Sequence, residues 1–175
     1  MSAGWWQSVS GSDLAQGDLL PDCFLPVFAA PTVSQSPDDA QEVPVLTQRL
    51  IVVTQSCDLK NKKVQFVALC PIHTLKEFAG QNPHFHTSKH WESVRKGQRP
   101  ALHMIASPES PAINTQSLVV DFGHIVSLPI DYLEDHAAAI GDRWRLESPF
   151  LEHYSQAFAR FFMRVGLPSG IAQFS

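Results

Sequence analysis

Two short apolar runs in this chain each end in side chains able to do chemistry. Arg49-Leu-Ile-Val-Val-Thr-Gln-Ser-Cys-Asp-Leu59 closes on Gln55, Ser56, Cys57 and Asp58, and Val64-Gln-Phe-Val-Ala-Leu-Cys-Pro-Ile-His73 closes on Cys70 and His73. A thiol beside a carboxylate and within reach of an imidazole holds the parts of nucleophilic catalysis, provided its pKa is lowered. Cys57, Cys70 and His73 are also the ligand types of zinc, with Cys70-x-x-His73 as a half-site. A plainer reading stands beside each. A free Cys is usually a small core residue, and an Asp after a strand usually starts a turn. The core reading is preferred for Cys57, and no cofactor is expected. A zinc-stabilised interaction protein is the alternative. His84, His86, His90 and His103 add imidazoles nearby, with solvated loop histidines as their plain reading.

The cations form separate clusters. Lys60, Lys62 and Lys63 sit in the turn between the two runs. Arg95, Lys96 and Arg99 lie near Trp91, and Arg160 and Arg164 follow His153 near the C-terminus. Basic residues interleaved with an aromatic can hold phosphates and stack on bases. Ordinary solvated faces are the bland alternative. The chain has no phosphate-binding loop, dinucleotide fingerprint or Gly-x-Ser-x-Gly elbow.

The β-branched runs are buried strands that pair as a hairpin through the 58–63 turn. Residues 17–28 are extended, and Pro21 and Pro26 confine them to an edge or a bulge. Residues 31–42 read as an exposed loop. Thr74-Leu-Lys-Glu77 is a capping box opening a short helix that Gly80 can end. A second helix is expected over 88–96, then strands over 101–106 and 117–128, with Gly123 as a bulge or bend. Pro129 starts a helix ending near Gly141, and 143–146 form a short strand. Over 148–165, Phe150, Leu151, Tyr154, Phe158, Phe161, Phe162 and Val165 recur at helical spacing. Ser148 and Pro149 serve as N-cap and first helical residue. This last helix should cover the sheet. Trp5 and Trp6 are expected to dock on the domain.

The chain has 175 residues with a formal net charge of -4, which suggests one domain without global attraction to polyanions. No apolar run approaches the roughly 18 residues that span a bilayer. The N-terminal residues lack the pattern of a signal peptide. Three cysteines make no disulfide framework. The expectation is a cytoplasmic protein with no membrane partner. Strands first and helices late argue for an α+β fold.

The order Gly17-Asp18-Leu19, a long loop, Arg49-Leu-Ile-Val-Val, a turn, then Val64 to His73 resembles the opening of PemK/MazF-type proteins. The resemblance covers residues 17–73 and implies a strongly bent antiparallel sheet or partial SH3-like barrel. It also implies a metal-independent endoribonuclease with Arg49 and His73 as catalytic residues. Arg49 lacks that family's Gly-x-Arg-Pro context, and His73 stands where the family has a hydroxyl residue. The preferred reading is therefore a small binding or regulatory module, in the toxin–antitoxin or defence setting that the resemblance implies. A protein partner is expected, with RNA or DNA as a further candidate. In that reading Arg49, Gln55, Cys57, Asp58 and His73 make the main contacts. Arg95, Arg99, Arg160 and Arg164 supply the basic surface.

Overall fold

The computed structural model describes residues 4–27, 43–109 and 117–163. The expectations placed on 31–42, Arg164 and Val165 lie outside these residues. The fold is α+β, and every strand pair is antiparallel. In chain order the elements are β1 (Trp6–Val9), β2 (Leu19–Pro26), β3 (Val45–Val52), α1 (Ser56–Lys60), β4 (Phe66–Thr74) and α2 (Leu75–Gln81). A 3-10 turn at Pro83–His86 leads to α3 (Ser88–Arg95), β5 (Leu102–Ile105), β6 (Leu118–Asp121) and β7 (Val126–Pro129). The chain then forms α4 (Ile130–Ile140), β8 (Arg143–Leu146) and α5 (Phe150–Phe162).

The main sheet runs β2-β3-β4-β6-β5, with β7 also on β4. Among the described residues its ends, β2 and β5, do not meet, so the sheet is not closed into a barrel. The two reactive runs do pair, with Leu50 opposite Pro71, Ile51 opposite Cys70 and Val52 opposite Leu69. Their connection is the single helical turn α1 rather than a plain hairpin turn. β6 and β7 bond to successive stretches of β4. They are one strand interrupted by the expected bend at Gly123, whose N–H bonds to Asp121 Oδ1 at 2.9 Å.

The continuous apolar run of β3 follows from its place in the middle of the sheet, where both faces are covered. Leu50 and Val52 point to one core with Val67, Leu69 and the α4 residues Leu133 and Ala137. Ile51 and Val53 point to the other, with Cys70, Ile72, Val120, Phe122 and Tyr154. Strand alternation explains this split. As expected, α5 lays its aromatic stripe on that second core: Phe150, Leu151, Phe158 and Phe161 pack there and Tyr154 is fully buried. Phe162 stands 53% exposed at the end of the stripe. A third cluster joins Phe78, Phe85, Val94 and Trp91 beneath Val119.

Local signals account for most boundaries. β2 is an edge strand with a bulge between Leu20 and Cys23, where Asp22 has φ 52. The capping box of α2 is complete: Glu77 N–H donates to Thr74 Oγ1 at 3.1 Å, and Thr74 N–H donates to Glu77 Oε2 at 2.7 Å. Gly80 lies inside α2 rather than ending it. The cap of α5 falls at Pro149 rather than Ser148, whose hydroxyl instead bonds Glu152. Gly17 has φ +83, and a Cβ there would lie 2.9 Å from the Leu146 Cβ. Only glycine fits both constraints, which lets the 17–18 turn approach β8.

The N-terminal aromatics dock as expected. Trp5 stacks on Phe150 with ring centroids 3.7 Å apart. Trp6 Nε1 donates to the Ala106 carbonyl at 2.9 Å. Among the described residues, no helix is long and apolar enough to cross a membrane.

Candidate functional site

Two of the basic clusters read from the sequence come together across the edge strand β5. A groove of ≈ 640 Å³ lies between the end of α3 and the flank of α5, with Trp5 and β5 completing it. The last turn of α3 contributes Arg95 and Lys96, and Gly97 at φ +69 turns the chain away. From α5 come His153, Gln156 and Arg160. Their spacing of three and four residues puts them on one helical face. That face borders the aromatic stripe, so burying the stripe points these polar groups along the groove. Cations in the last turn of α3 also meet the negative end of that helix favourably.

Electrostatics give the groove a positive rim. Arg95, Lys96 and Arg160 line it, and among the described residues no carboxylate does. Glu92, one turn back on α3, accepts from Arg95 Nη2 at 2.6 Å and lies 3.4 Å from Lys96 Nζ. The Arg95 hydrogen bonds hold the Glu92 carboxyl down to about 2. Glu92 thus fixes the two cations while offsetting one charge. His103 sits in the groove wall with its ring nearly parallel to Phe122, at an interplanar angle of 13°. Burial pushes its pKa down to about 4, and nearby His153 adds to the shift. At neutral pH it is an uncharged ring with one donor and one acceptor nitrogen.

Arg99 does not line this groove. Its Nη2 lies 3.1 Å from His90 Nδ1, and its guanidinium sits 5.8 Å from the centroid of the Phe85 ring. Arg164 lies outside the described residues.

No family model matches the chain. No curated protein matches it either.

The hairpin residues divide into two groups. Arg49 and His73 meet in a second groove, of ≈ 460 Å³, with Asp22, Gln48, Glu77 and Gln81. Arg49 Nη2 bonds Glu77 Oε2 at 3.1 Å. Burial, with smaller contributions from Arg49 and His124, lowers the His73 pKa against the pull of Glu77 and Asp121. Gln55, Cys57 and Asp58 lie elsewhere, at α1. There the Cys57 thiol contacts Gln55 Oε1 at 3.7 Å and Asp58 Oδ1 at 3.8 Å, and Lys63 pairs with Asp58 at 3.9 Å.

Cys57 is exposed, which corrects the core reading. The α1 turn buries Leu59 in its place. Cys23 and Cys70 are the buried thiols, both pushed up to about 12 by burial. The three candidate ligands of the zinc alternative are not grouped in one place. Cys70 faces the core beneath α5, whereas His73, three residues on, projects from the opposite face of β4 towards Phe78. Among the described residues no group of three His, Cys, Asp or Glu side chains is placed to hold a metal ion.

One buried ionic cluster had no sequence signal beyond Gly17-Asp18 and Arg143-x-Arg145. Asp18 is fully buried, and its carboxylate accepts from Arg143 Nε at 3.1 Å and Arg145 Nη2 at 2.9 Å. The Ala15 N–H donates to the same carboxylate at 3.1 Å. Arg143 also donates to the Gly11 and Asp13 carbonyls. Each charge is paired and hydrogen-bonded, as burial demands. The cluster ties the N-terminal segment to β8.

Proposed function

We propose that this protein is a binding module for nucleic acid, with the α3–β5–α5 groove as its contact surface. The observation that carries this reading is the convergence of Arg95, Lys96 and Arg160 on one groove with no carboxylate among the described residues of its lining. Lys and Arg that neutralise phosphates release counterions, so affinity for a nucleic acid falls steeply with salt. Trp5 and the uncharged His103 add surfaces suited to bases beside those suited to phosphates. A net acidic chain that gathers cations in a groove limits contact with polyanions to that face. Such a module fits a regulatory role in the toxin–antitoxin or defence setting that the resemblance implies. The test is a titration of fluorescently labelled mixed-sequence RNA and DNA with the full chain. Saturable binding whose affinity falls as salt rises supports the reading. Absence of binding at low salt overturns it.

The second reading is an endoribonuclease centred on Arg49 and His73. It is favoured by their sharing one groove. In it Arg49 stabilises the charge that develops on the phosphorus centre and His73 transfers a proton. The Arg49–Glu77 pair must open for that role. Cleavage of RNA by the wild type, abolished in Arg49→Ala and His73→Ala, supports this reading. Undiminished cleavage in both variants rejects it.

A further inference from the structure

We infer that the groove takes a single strand rather than a duplex, seating a base against Trp5 and His103 while Arg95, Lys96 and Arg160 hold the flanking phosphates. This rests on the nucleic-acid reading above and specifies its ligand. The shape comes first. Proteins that read a duplex in its major groove insert a helix or β-ribbon into a channel about 12 Å wide. Here the cations stand on the rims of a concavity between two helices, which offers nothing to insert. A concave basic path with aromatic side chains is the arrangement that follows a single strand.

The second observation is that the aromatic groups are held before any ligand arrives. Trp5 lies flat on Phe150, 3.7 Å between centroids and 12° between planes. The Trp6 bond to Ala106 fixes the adjoining residue to the end of β5. His103 is likewise held nearly parallel to Phe122 and tilted against Tyr154. Its burial keeps the ring uncharged, so it is suited to the hydrogen-bonding edge of a base rather than to a phosphate. Gln156, exposed on α5, offers an amide with both donors and an acceptor on the same wall. Among the described residues β5 pairs only with β6, so its other edge carries no partner strand.

The experiment compares a labelled single-stranded RNA, the matching single-stranded DNA, their duplex counterparts and inorganic polyphosphate, all with the full chain. Either strand should bind at least tenfold more tightly than its duplex and than polyphosphate. Trp5→Leu and Gln156→Ala should each weaken strand binding severalfold while duplex binding stays the same. Gln156→Ala alters an exposed helical position, so that arm remains informative if the Trp5 variant folds poorly. Equal affinity for strand and duplex, or for strand and polyphosphate, overturns the inference and leaves the basic groove standing. Strand binding unchanged in Gln156→Ala and in a folded Trp5→Leu also overturns it. Failure of every nucleic acid to bind overturns the proposed function itself.

Discussion

Arg95, in the last turn of α3, and Arg160, on the flank of α5, line the same groove across the edge strand β5. Neither belongs to the hairpin that is richest in chemistry when read as sequence. Their convergence is a product of the sheet: β5 at its edge carries α3 on one side of the groove, and the aromatic stripe fixes α5 on the other.

Arg99 and Arg160 are predicted to separate in function. Arg99 is engaged with His90 and the face of Phe85, so Arg99→Ala changes nucleic-acid affinity less than about twofold. It lowers stability by roughly 0.5–1 kcal/mol, the usual worth of an exposed cation–π contact. Arg160→Ala lowers the slope of log affinity against log salt by about 1, as loss of one phosphate contact requires. Its unfolding midpoint stays close to wild type. Salt titrations and urea unfolding of both variants read the difference.

His103 makes stability depend on pH. Its pKa falls from 6.5 to about 4 on folding. Between those values the unfolded chain binds a proton that the folded chain does not, so stability rises with pH across the window. It is fully present above pH 6.5 and is lost progressively towards about pH 4, by roughly 3 kcal/mol in all. His73, also lowered by burial, acts in the same direction. Urea unfolding at pH 7 and pH 5 should show a smaller difference in His103→Gln than in wild type. An equal difference would remove His103 as the source.

Asp18→Ala leaves Arg143, whose side chain is 1% exposed, without its carboxylate. Breaking a buried pair on one side costs about 3–5 kcal/mol. Guanidinium unfolding should show a loss of that order, with two-state behaviour retained. A loss below about 1 kcal/mol would mean the Gly11 and Asp13 carbonyls suffice for Arg143.

The thiols provide a test of α1. Cys57 is exposed and Cys23 and Cys70 are buried. A thiol-reactive chromogenic reagent should titrate about one cysteine per native chain and all three after unfolding. Cys57→Ser should abolish the native reaction.

What could be read in advance follows physical range. The capping box, the Gly123 bend, the proline-marked edge strand and the stripe of α5 are encoded within a few residues and appear where expected. The uninterrupted Leu50–Val53 run marks a strand covered on both faces, and the structure places it between two cores. Arg49 and His73 share a groove because β3 and β4 pair with Leu50 opposite Pro71, which brings the start of one strand beside the end of the other. Cys57 escaped because a five-residue helix replaced a turn, rotating the thiol outward and Leu59 inward. The Cys70–His73 half-site failed on strand alternation, which sends residues three apart to opposite faces. The Asp18–Arg143–Arg145 cluster and the merging of two basic clusters join parts of the chain that are distant in sequence. No local pattern encodes such contacts.

The most direct test of the central claim is the affinity of the full chain for a labelled single-stranded RNA, compared between wild type and Arg95→Glu/Arg160→Glu at two salt concentrations. Wild type should bind tightly and salt-sensitively, and the variant should lose tenfold or more, with the fold intact by circular dichroism. Equal affinity in the two proteins would contradict it, because the nucleic acid would then be held on some other surface.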